Sequence, residues 1–188
     1  NPSVPATFWY VCLGYSFAQE CGGANVGYII FDHILLHDTK SANSHGTRHA
    51  IFANSDGVGN IALIESYCHG IGTNNSLGNG DAQCFSSDKG AGPFLIRNNY
   101  LSAVGEQVMF GGGHEAAVTA DVPQDITIIN NDFDLELEFQ AANRANYPSM
   151  KALLEFKEGL RILVEGNRFT NFDSRGEGYV WRLTPRNS

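Results

Sequence analysis

The sequence predicts an all-β protein, a right-handed single-stranded parallel β-helix of about five to six coils that occupies residues 1–188 as a single domain. Three observations lead to this prediction. A short apolar pattern recurs at nearly constant spacing along the 188 residues. Its copies are rich in β-branched and aromatic residues, which favour strands. A second apolar run lies between consecutive copies, so that every repeat holds at least two strands.

The recurring pattern is apolar-x-apolar-x-polar-polar-x-apolar, and it has five clear copies. They begin at residues 28, 61, 94, 126 and 162, so consecutive copies are 33, 33, 32 and 36 residues apart. A weaker copy covers residues 10–17. Such spacing is typical of repeat proteins, in which no repeat can bury its apolar face alone and stacked repeats share one core.

Each copy predicts a short strand. The copies are separated by clusters of Gly, Asn, Asp and Ser, not by the roughly 10–15-residue pattern of an amphipathic helix. Leucine-rich repeats have a period of roughly 20–29 residues and a regular Leu frame, which is missing here. Stacked strands are therefore the favoured structure.

Stacking places equivalent residues of successive repeats above one another, about 4.8 Å apart, which predicts interior columns. Three columns are expected: Tyr28, Ile61, Phe94, Ile126 and Ile162; Ile30, Leu63, Ile96, Ile128 and Val164; and, across a turn, Leu35, Cys68, Leu101, Phe133 and Phe169.

A polar column is expected at that turn. Asn tolerates left-handed backbone, and stacked amides can bond to one another, so the column is interpreted as a structural ladder in preference to a carboxylate-and-amide site. Its predicted members are His33, Ser66, Asn99, Asn131 and Asn167, beside Asp32, Glu65, Asn98, Asn130 and Gly166.

The four cysteines leave two possibilities open. Cys12 with Cys21, and Cys68 with Cys84, are close enough in sequence to form disulfides. Cys68 also fits the interior as a small apolar residue.

Charge and composition exclude several classes of partner. Twelve Lys and Arg against 20 Asp and Glu give a net charge of −8, so nucleic acid is not an expected partner. A long anionic polysaccharide is also disfavoured unless a local basic strip opposes the overall sign. No run approaches the roughly 20 apolar residues of a membrane span.

The chain begins at Asn1 without a signal sequence, so we expect either that a signal was removed or that the chain is a piece of a longer protein.

No cofactor or metal site is predicted. His33, His37, His45 and His49 form two His-x-x-x-His spacings, but these fall on a strand end and a loop, where that spacing does not bring two imidazoles together. Calcium is compatible with the predicted fold, although no acidic calcium site is recognisable. Gly-x-Ser-x-Gly, phosphate-loop and Cys-x-x-Cys motifs are missing.

The second strand of each repeat carries the candidate binding residues. If Ile51, Cys84, Met109, Leu154 and Trp181 point inward, alternation turns their neighbours outward as one row. Rings in such a row can cover sugar faces, while charges fix hydroxyl or carboxylate groups. The competing interpretation is that the segments between coils cover the rings and extend the core. The candidate substrate-binding residues are Phe52, Phe85, Phe110, Glu155, Lys157 and Arg182.

The outward positions of the first strand are mostly aliphatic: Ile29, Ala62, Leu95, Thr127 and Leu163. Large exposed apolar patches usually mark interfaces. This face therefore predicts a covered or self-associating surface.

Several segments resemble bacterial right-handed parallel β-helix repeat proteins of the pectate-lyase-like superfamily, over roughly residues 25 to 188. The resemblance is carried by residues 92–101, 105–112, 125–133, 164–169 and 183–187. It implies a protein of the cell exterior or cell surface, in a superfamily that includes polysaccharide lyases, hydrolases, epimerases, phage spikes and adhesins. Members usually continue through further coils, which predicts that this chain is a fragment or that another subunit caps its open end.

Two functions are therefore expected. The first is the binding or processing of a polysaccharide, and an enzyme would then be a polysaccharide lyase or a glycoside hydrolase. The alternative is a non-catalytic structural or assembly module, similar to a surface fibre or adhesin, that associates through apolar faces and open coil ends.

Overall fold

A computed structural model of the chain describes residues 9–13, 26–37, 47–55, 57–72, 82–112, 122–137, 150–173, 177 and 179–184. Within them are 16 strands. In chain order these are β1 (Trp9–Leu13), β2 (Gly27–Asp32), β3 (Leu35–His37), β4 (His49–Asn54), β5 (Gly59–Ile64), β6 (Tyr67–Ile71), β7 (Gln83–Lys89), β8 (Phe94–Arg97), β9 (Tyr100–Ala103), β10 (Glu106–Phe110), β11 (Gln124–Ile129), β12 (Asp132–Asp134), β13 (Leu154–Phe156), β14 (Leu160–Glu165), β15 (Arg168–Thr170) and β16 (Trp181–Leu183).

The strands form three parallel sheets, and the chain visits each sheet in turn. Sheet A has the order β1-β4-β7-β10-β13-β16, sheet B the order β14-β11-β8-β5-β2, and sheet C the order β15-β12-β9-β6-β3. Every pairing joins a strand to its equivalent in the next repeat, which is the topology of a parallel β-helix. The predicted fold class is confirmed.

The register of the predicted columns is confirmed from the second repeat onward, although Ile162 in the last repeat is 37% exposed. Ile61, Phe94, Ile126 and Ile162 pair in register across β5, β8, β11 and β14. Cys68, Leu101, Phe133 and Phe169 pair likewise across sheet C. Their strands bury one face against a shared apolar core, as the period-2 alternation requires.

The first repeat departs from the prediction by one residue. Ile29 pairs with Ile61, and Leu36 pairs with Cys68, so the first repeat is 32 residues from the second in register. A shift of one residue moves a strand's side chains to the opposite face. The predicted interior positions of three residues are therefore wrong, and the exposed fractions are 87% for Tyr28, 66% for Ile30 and 61% for Leu35.

The ladder at the turn between sheets B and C is confirmed as a structural feature. The backbone N–H of Asn99 donates to Asn131 Oδ1 at 3.0 Å, and that of Asn131 donates to Asn167 Oδ1 at 2.8 Å. Ser66 begins the ladder by donating its N–H to Asn99 Oδ1 at 2.9 Å. In the first repeat the equivalent residue is Ile34, whose N–H donates to Ser66 Oγ, and not His33 as predicted.

The residue before each ladder position has left-handed backbone. Glu65, Asn98 and Asn130 have φ of 49°, 56° and 55°. The last repeat has Gly166 there, with φ of 64°, which is the residue that adopts this conformation without strain.

A disulfide joins Cys68 to Cys84 and so links sheet C to sheet A. Cys12 is also disulfide-bonded, whereas Cys21 lies outside the described residues. The open question about Cys68 and Cys84 is thereby settled in favour of a bond. None of the helical structure in the described segments is both long and apolar enough to span a bilayer.

Candidate functional site

One row of side chains on the outer face of sheet A contains three of the predicted binding residues. Phe52, Ser86, Met109, Glu155 and Arg182 pair in register across β4, β7, β10, β13 and β16. Their neighbours on β4, β7, β10 and β13 belong to the core, so alternation turns this row outward. The predicted outward positions of Phe52, Glu155 and Arg182 are confirmed.

The predicted row of exposed phenyl rings is wrong. Phe85 and Phe110 are 1% and 0% exposed and belong to the core, where their ring centroids lie 5.7 Å apart. Phe85, not Cys84, pairs with Ile51. The apolar runs of β7 and β10 had been aligned one residue out of register, and a one-residue slip exchanges the two faces.

Phe52 remains on the outer face, but only 6% of it is exposed. Its ring stacks on the imidazole of His49, with centroids 4.5 Å apart. Phe52 therefore contributes packing to this face and offers no open ring surface to a sugar.

Glu155 is held by three neighbours. Its Oε1 accepts a hydrogen bond of 2.7 Å from the Thr184 hydroxyl. Lys157 Nζ lies 3.6 Å from its Oε2, and Arg182 Nε lies 3.6 Å from its Oε1. Only 1% of the Glu155 side chain is exposed. The structure thus brings Glu155, Lys157 and Arg182 together, as the sequence predicted.

A second buried carboxyl group, Glu106, lies beside Glu155. Glu106 begins β10 and pairs with Gln83, whose Nε2 donates to Glu106 Oε2 at 2.7 Å. Lys151 Nζ lies 3.6 Å from Glu106 Oε1, and the Glu106 side chain is fully buried. The two carboxyl groups are close enough for each to shift the pKa of the other.

The environments of the two carboxyl groups move their pKa values apart. Burial raises the pKa of Glu106 to about 8, and the neighbouring Glu155 adds to the rise. Burial also disfavours the ionised form of Glu155, but the Thr184 hydrogen bond and the Lys157 charge outweigh it and lower the pKa of Glu155 below its usual value. These shifts favour the protonated form of Glu106 and the ionised form of Glu155.

Cations are concentrated around this pair. Arg48, Lys157 and Arg182 all lie within electrostatic range of Lys151, and with it they are four of the chain's 12 basic residues. Burial, followed by the charge of Lys157, lowers the pKa of Lys151 to about 8. The side chains of Lys151 and Arg182 are 25% and 28% exposed, so the cations face solvent and the carboxyl groups lie beneath them.

His49 and Ser86 continue the polar cluster along the sheet. Ser86 Oγ lies 2.8 Å from His49 Nδ1, and both residues are buried. Burial and the adjacent Arg48 charge lower the pKa of His49 to about 3, so its imidazole is neutral at physiological pH and can share a hydrogen bond with the hydroxyl.

Several buried polar atoms of the cluster have no hydrogen-bond partner within the described part of the chain. They include Glu106 Oε1, Glu155 Oε2, Gln83 Oε1 and Arg182 Nε. A buried polar group without a partner costs free energy. Three of these atoms, Glu106 Oε1, Glu155 Oε2 and Arg182 Nε, lie 3.6 Å from an opposite charge, and a ligand could supply the hydrogen bonds that they lack. We call Glu106, Glu155, Lys151, Lys157 and Arg182 the carboxylate–cation cluster.

Sequence reasoning identified Glu155, Lys157 and Arg182 but missed Glu106, Gln83 and Lys151. Glu106 was available as a charged residue at the first position of an otherwise apolar strand, where burial requires a partner. The residues of β7, β10 and the segment before β13 meet only when all three strands are in their correct register.

Other faces of the described structure offer less chemistry. Tyr67 and Tyr100 stack on sheet C with ring centroids 4.5 Å apart, so each ring covers the face of the next. Among the described residues no group of three His, Cys, Asp or Glu side chains is arranged to hold a metal ion; His45 and His114 lie outside them.

The fold defines the protein as a parallel β-helix, and this cluster places buried ionisable groups on one of its sheets. Comparison of the chain with protein-family models, with curated proteins and with solved structures found no match.

Proposed function

We propose that this chain binds an acidic polysaccharide on the outer face of sheet A and hydrolyses its glycosidic bonds by acid–base catalysis. The supporting observation is the pair of buried carboxyl groups, Glu106 and Glu155, beneath the side chains of Lys151, Lys157 and Arg182; their surroundings shift the two pKa values in opposite directions. Two carboxyl groups whose environments separate their pKa values supply a general acid and a general base at the same pH.

Each carboxyl group has its own role in this proposal. Gln83 donates its N–H to Glu106 Oε2, which leaves the Glu106 proton on Oε1, the oxygen without a hydrogen-bond partner in the described part of the chain. From there it can be donated to the oxygen of the leaving sugar. Water adds to the anomeric carbon as the glycosidic bond breaks, and it gives its proton to Glu155 Oε2. The two carboxyl groups act directly on each other in the unbound chain, so they must separate to roughly 6.5–9.5 Å to admit this water.

The cations favour an anionic substrate. Lys151 and Arg182 are the partly exposed members of the cluster, and a substrate carboxylate would meet them before it reached the buried pair. They supply the local basic strip that can oppose the overall charge of −8. Both carboxyl groups are buried, so productive binding requires the long side chains of Lys151, Lys157 and Arg182 to move aside.

The disulfides support a location outside the reducing cytosol. Cys68 and Cys84 are bonded to each other, and Cys12 is bonded as well; such bonds persist in secreted and cell-surface proteins. The sequence resemblance to pectate-lyase-like β-helix proteins agrees with an extracellular or cell-surface polysaccharide-active protein.

The test is a screen of acidic and neutral polysaccharides for new reducing ends, with ultraviolet absorbance of unsaturated uronides as a second readout. We expect reducing ends without unsaturated products on an acidic polysaccharide. Glu106→Gln and Glu155→Gln should each lower the rate by at least about 100-fold. Glu65→Gln, on an exposed turn carboxylate that accepts a hydrogen bond from Asn98, is the matched control and should retain the rate.

Unsaturated products would show that the two carboxyl groups catalyse elimination and not hydrolysis. Unchanged rates in both Gln variants would place catalysis elsewhere. Glycan binding with no turnover in the unmodified protein would contradict the catalytic part of the proposal and leave a binding role.

A further inference from the structure

Sheet B presents a flat outer face of 15 side chains in three rows. Pairing in register defines the middle and third rows. The first row lies at the corner before them, where Tyr28, Asn60, Asp125 and Arg161 have left-handed backbone. The first row is Tyr28, Asn60, Pro93, Asp125 and Arg161; the middle row is Ile30, Ala62, Leu95, Thr127 and Leu163; the third row is Asp32, Ile64, Arg97, Ile129 and Glu165.

The middle row is apolar except for one threonine, and its ends are well exposed. Ile30 is 66% exposed and Leu163 is 48% exposed. Around the small side chain of Ala62, a shallow apolar groove of about 300 Å³ is lined by Tyr28, Pro93 and Leu95 among others. The predicted aliphatic face is found at Ala62, Leu95, Thr127 and Leu163. In the first repeat the outward residue of this row is Ile30 and not the predicted Ile29. An apolar strip of this kind is typical of an interface.

We infer that the outer face of sheet B is the interface of a homodimer whose two-fold axis runs parallel to the β-helix axis. Such an axis places each repeat opposite the same repeat of the second copy, with the strands of the two sheets running in opposite directions. The middle row then meets itself, and the first row of one copy meets the third row of the other.

The charges on the two outer rows complement each other in this arrangement. Arg161 and Glu165 stand on the same strand, β14, in the first and third rows, so each Arg161 meets the Glu165 of the second copy. Tyr28 and Asp32 stand on β2 and place a hydroxyl opposite a carboxylate. Arg97 lies one repeat, about 4.8 Å, from the Asp125 of the other copy. Complementary charges of this kind fix the orientation of an interface.

The other two-fold arrangement brings like charges together. An axis along the strands would place the third row against itself in reverse order. Asp32 would then face Glu165, and Arg97 would face Arg97 of the second copy. Like-charge contacts select against this arrangement. The inference does not depend on the proposed function, because the carboxylate–cation cluster lies on sheet A.

Sedimentation equilibrium over a range of concentrations tests the interface. The protein should sediment at twice its 20.4 kDa mass, and Leu95→Glu should sediment as a monomer with an unchanged circular-dichroism spectrum. Leu35→Glu, at a position 61% exposed on sheet C, is the control and should remain dimeric. A monomer at every concentration, an open-ended series of oligomers, or a dimeric Leu95→Glu protein would overturn the inference.

A charge exchange tests the direction of the axis without touching the apolar row. Arg161→Glu should weaken the dimer by at least about tenfold, because it places two carboxylates together at both symmetric contacts. Adding Glu165→Arg should restore affinity. Both variants lose the contact between Arg161 and Asp125 within the chain, so their difference reports the contact between copies. Failure of the second change to restore affinity would contradict the proposed axis.

Cross-linking gives a second readout that does not depend on dissociation constants. Leu163→Cys should form a disulfide-linked dimer on mild oxidation, since Leu163 faces itself across the proposed axis. The opposite arrangement would place Leu163 against Ile30, and the same variant would then form a dimer without cross-linking. That result would overturn the orientation.

Discussion

This β-helix has two buried polar regions, the ladder between sheets B and C and the carboxylate–cation cluster on sheet A. They differ in how many of their polar atoms form hydrogen bonds. In the ladder between sheets B and C, both side-chain atoms of Asn131 are used: Oδ1 accepts from the backbone and the amide of Asn99, and Nδ2 donates to Ile96 O at 2.9 Å and to Asn167 Oδ1 at 2.9 Å. In the carboxylate–cation cluster on sheet A, one oxygen of Glu106 and one of Glu155 have no such partner among the described residues.

The difference separates a stabilising column from a candidate site. A fully satisfied buried network repays the desolvation of its members and fixes the register of successive repeats. A network with unpaired buried oxygens stabilises the fold less than an apolar core would. The ladder therefore helps to hold the repeats together. The cluster lowers the stability of the folded protein, and bound substrate can offset that loss of free energy.

The largest effect in this comparison should follow from interrupting the ladder. Asn131→Ala removes the acceptor for Asn99 and leaves the carbonyl of Ile96 without its donor. We expect the free energy of unfolding to fall by about 3 kcal/mol, because several buried groups lose partners at once. Chemical denaturation followed by circular dichroism measures this change.

The matched control for the ladder is Asn98→Gly at the neighbouring exposed turn position. Asn98 has φ of 56° and hydrogen-bonds Glu65 at the surface, and Gly166 already occupies the equivalent position in another repeat. The loss should stay below about 1 kcal/mol. Equal losses in the two variants would contradict the structural importance of the ladder.

A smaller effect, about 2 kcal/mol between pH 6.5 and 8, should appear when the protonated carboxyl of the cluster is removed. The pKa of Glu106 is raised from 4.5 to about 8, so between these pH values the folded state holds a proton that the unfolded state releases. Glu106 therefore makes the free energy of unfolding fall as pH rises, by up to about 1.4 kcal/mol per pH unit. Glu106→Gln should remove this slope.

The clearest window is between pH 6.5 and about 8. His49 has a pKa lowered from 6.5 to about 3, so it makes stability rise with pH only below 6.5. Lys151 has a pKa lowered from 10.5 to about 8, so it acts above that value. Within the window, parallel curves for Glu106→Gln and the unmodified protein would show that Glu106 is ionised in the folded state.

The fold was predictable because it depends on periodicity. A spacing of 32 to 36 residues and the alternation within each copy determine which strands stack, and Ile61, Phe94, Ile126 and Ile162 stack as predicted. The first repeat was misplaced because Tyr28 and Ile30 match the pattern as well as Ile29 and Phe31 do. The choice between them depends on pairing with β5, which composition does not reveal.

The candidate site was predictable only in part. Glu155 and Arg182 were found because they occupy the same position of consecutive repeats. Phe85 and Phe110 were misassigned because the runs in β7 and β10 allow two alignments that differ by one residue, and only one buries the rings. Glu106 was missed because it contacts Gln83 and Lys151, which are distant from it in the sequence.

The most direct test of the central claim is a carbon-13 NMR titration of the glutamate side-chain carboxyl groups, assigned with Glu106→Gln and Glu155→Gln. The account predicts that Glu106 titrates near pH 8 and that Glu155 titrates below the usual value of 4.5. Titration of both carboxyl groups together near 4.5 would show that the pair holds no proton at neutral pH and would contradict the assignment of a general acid and a general base.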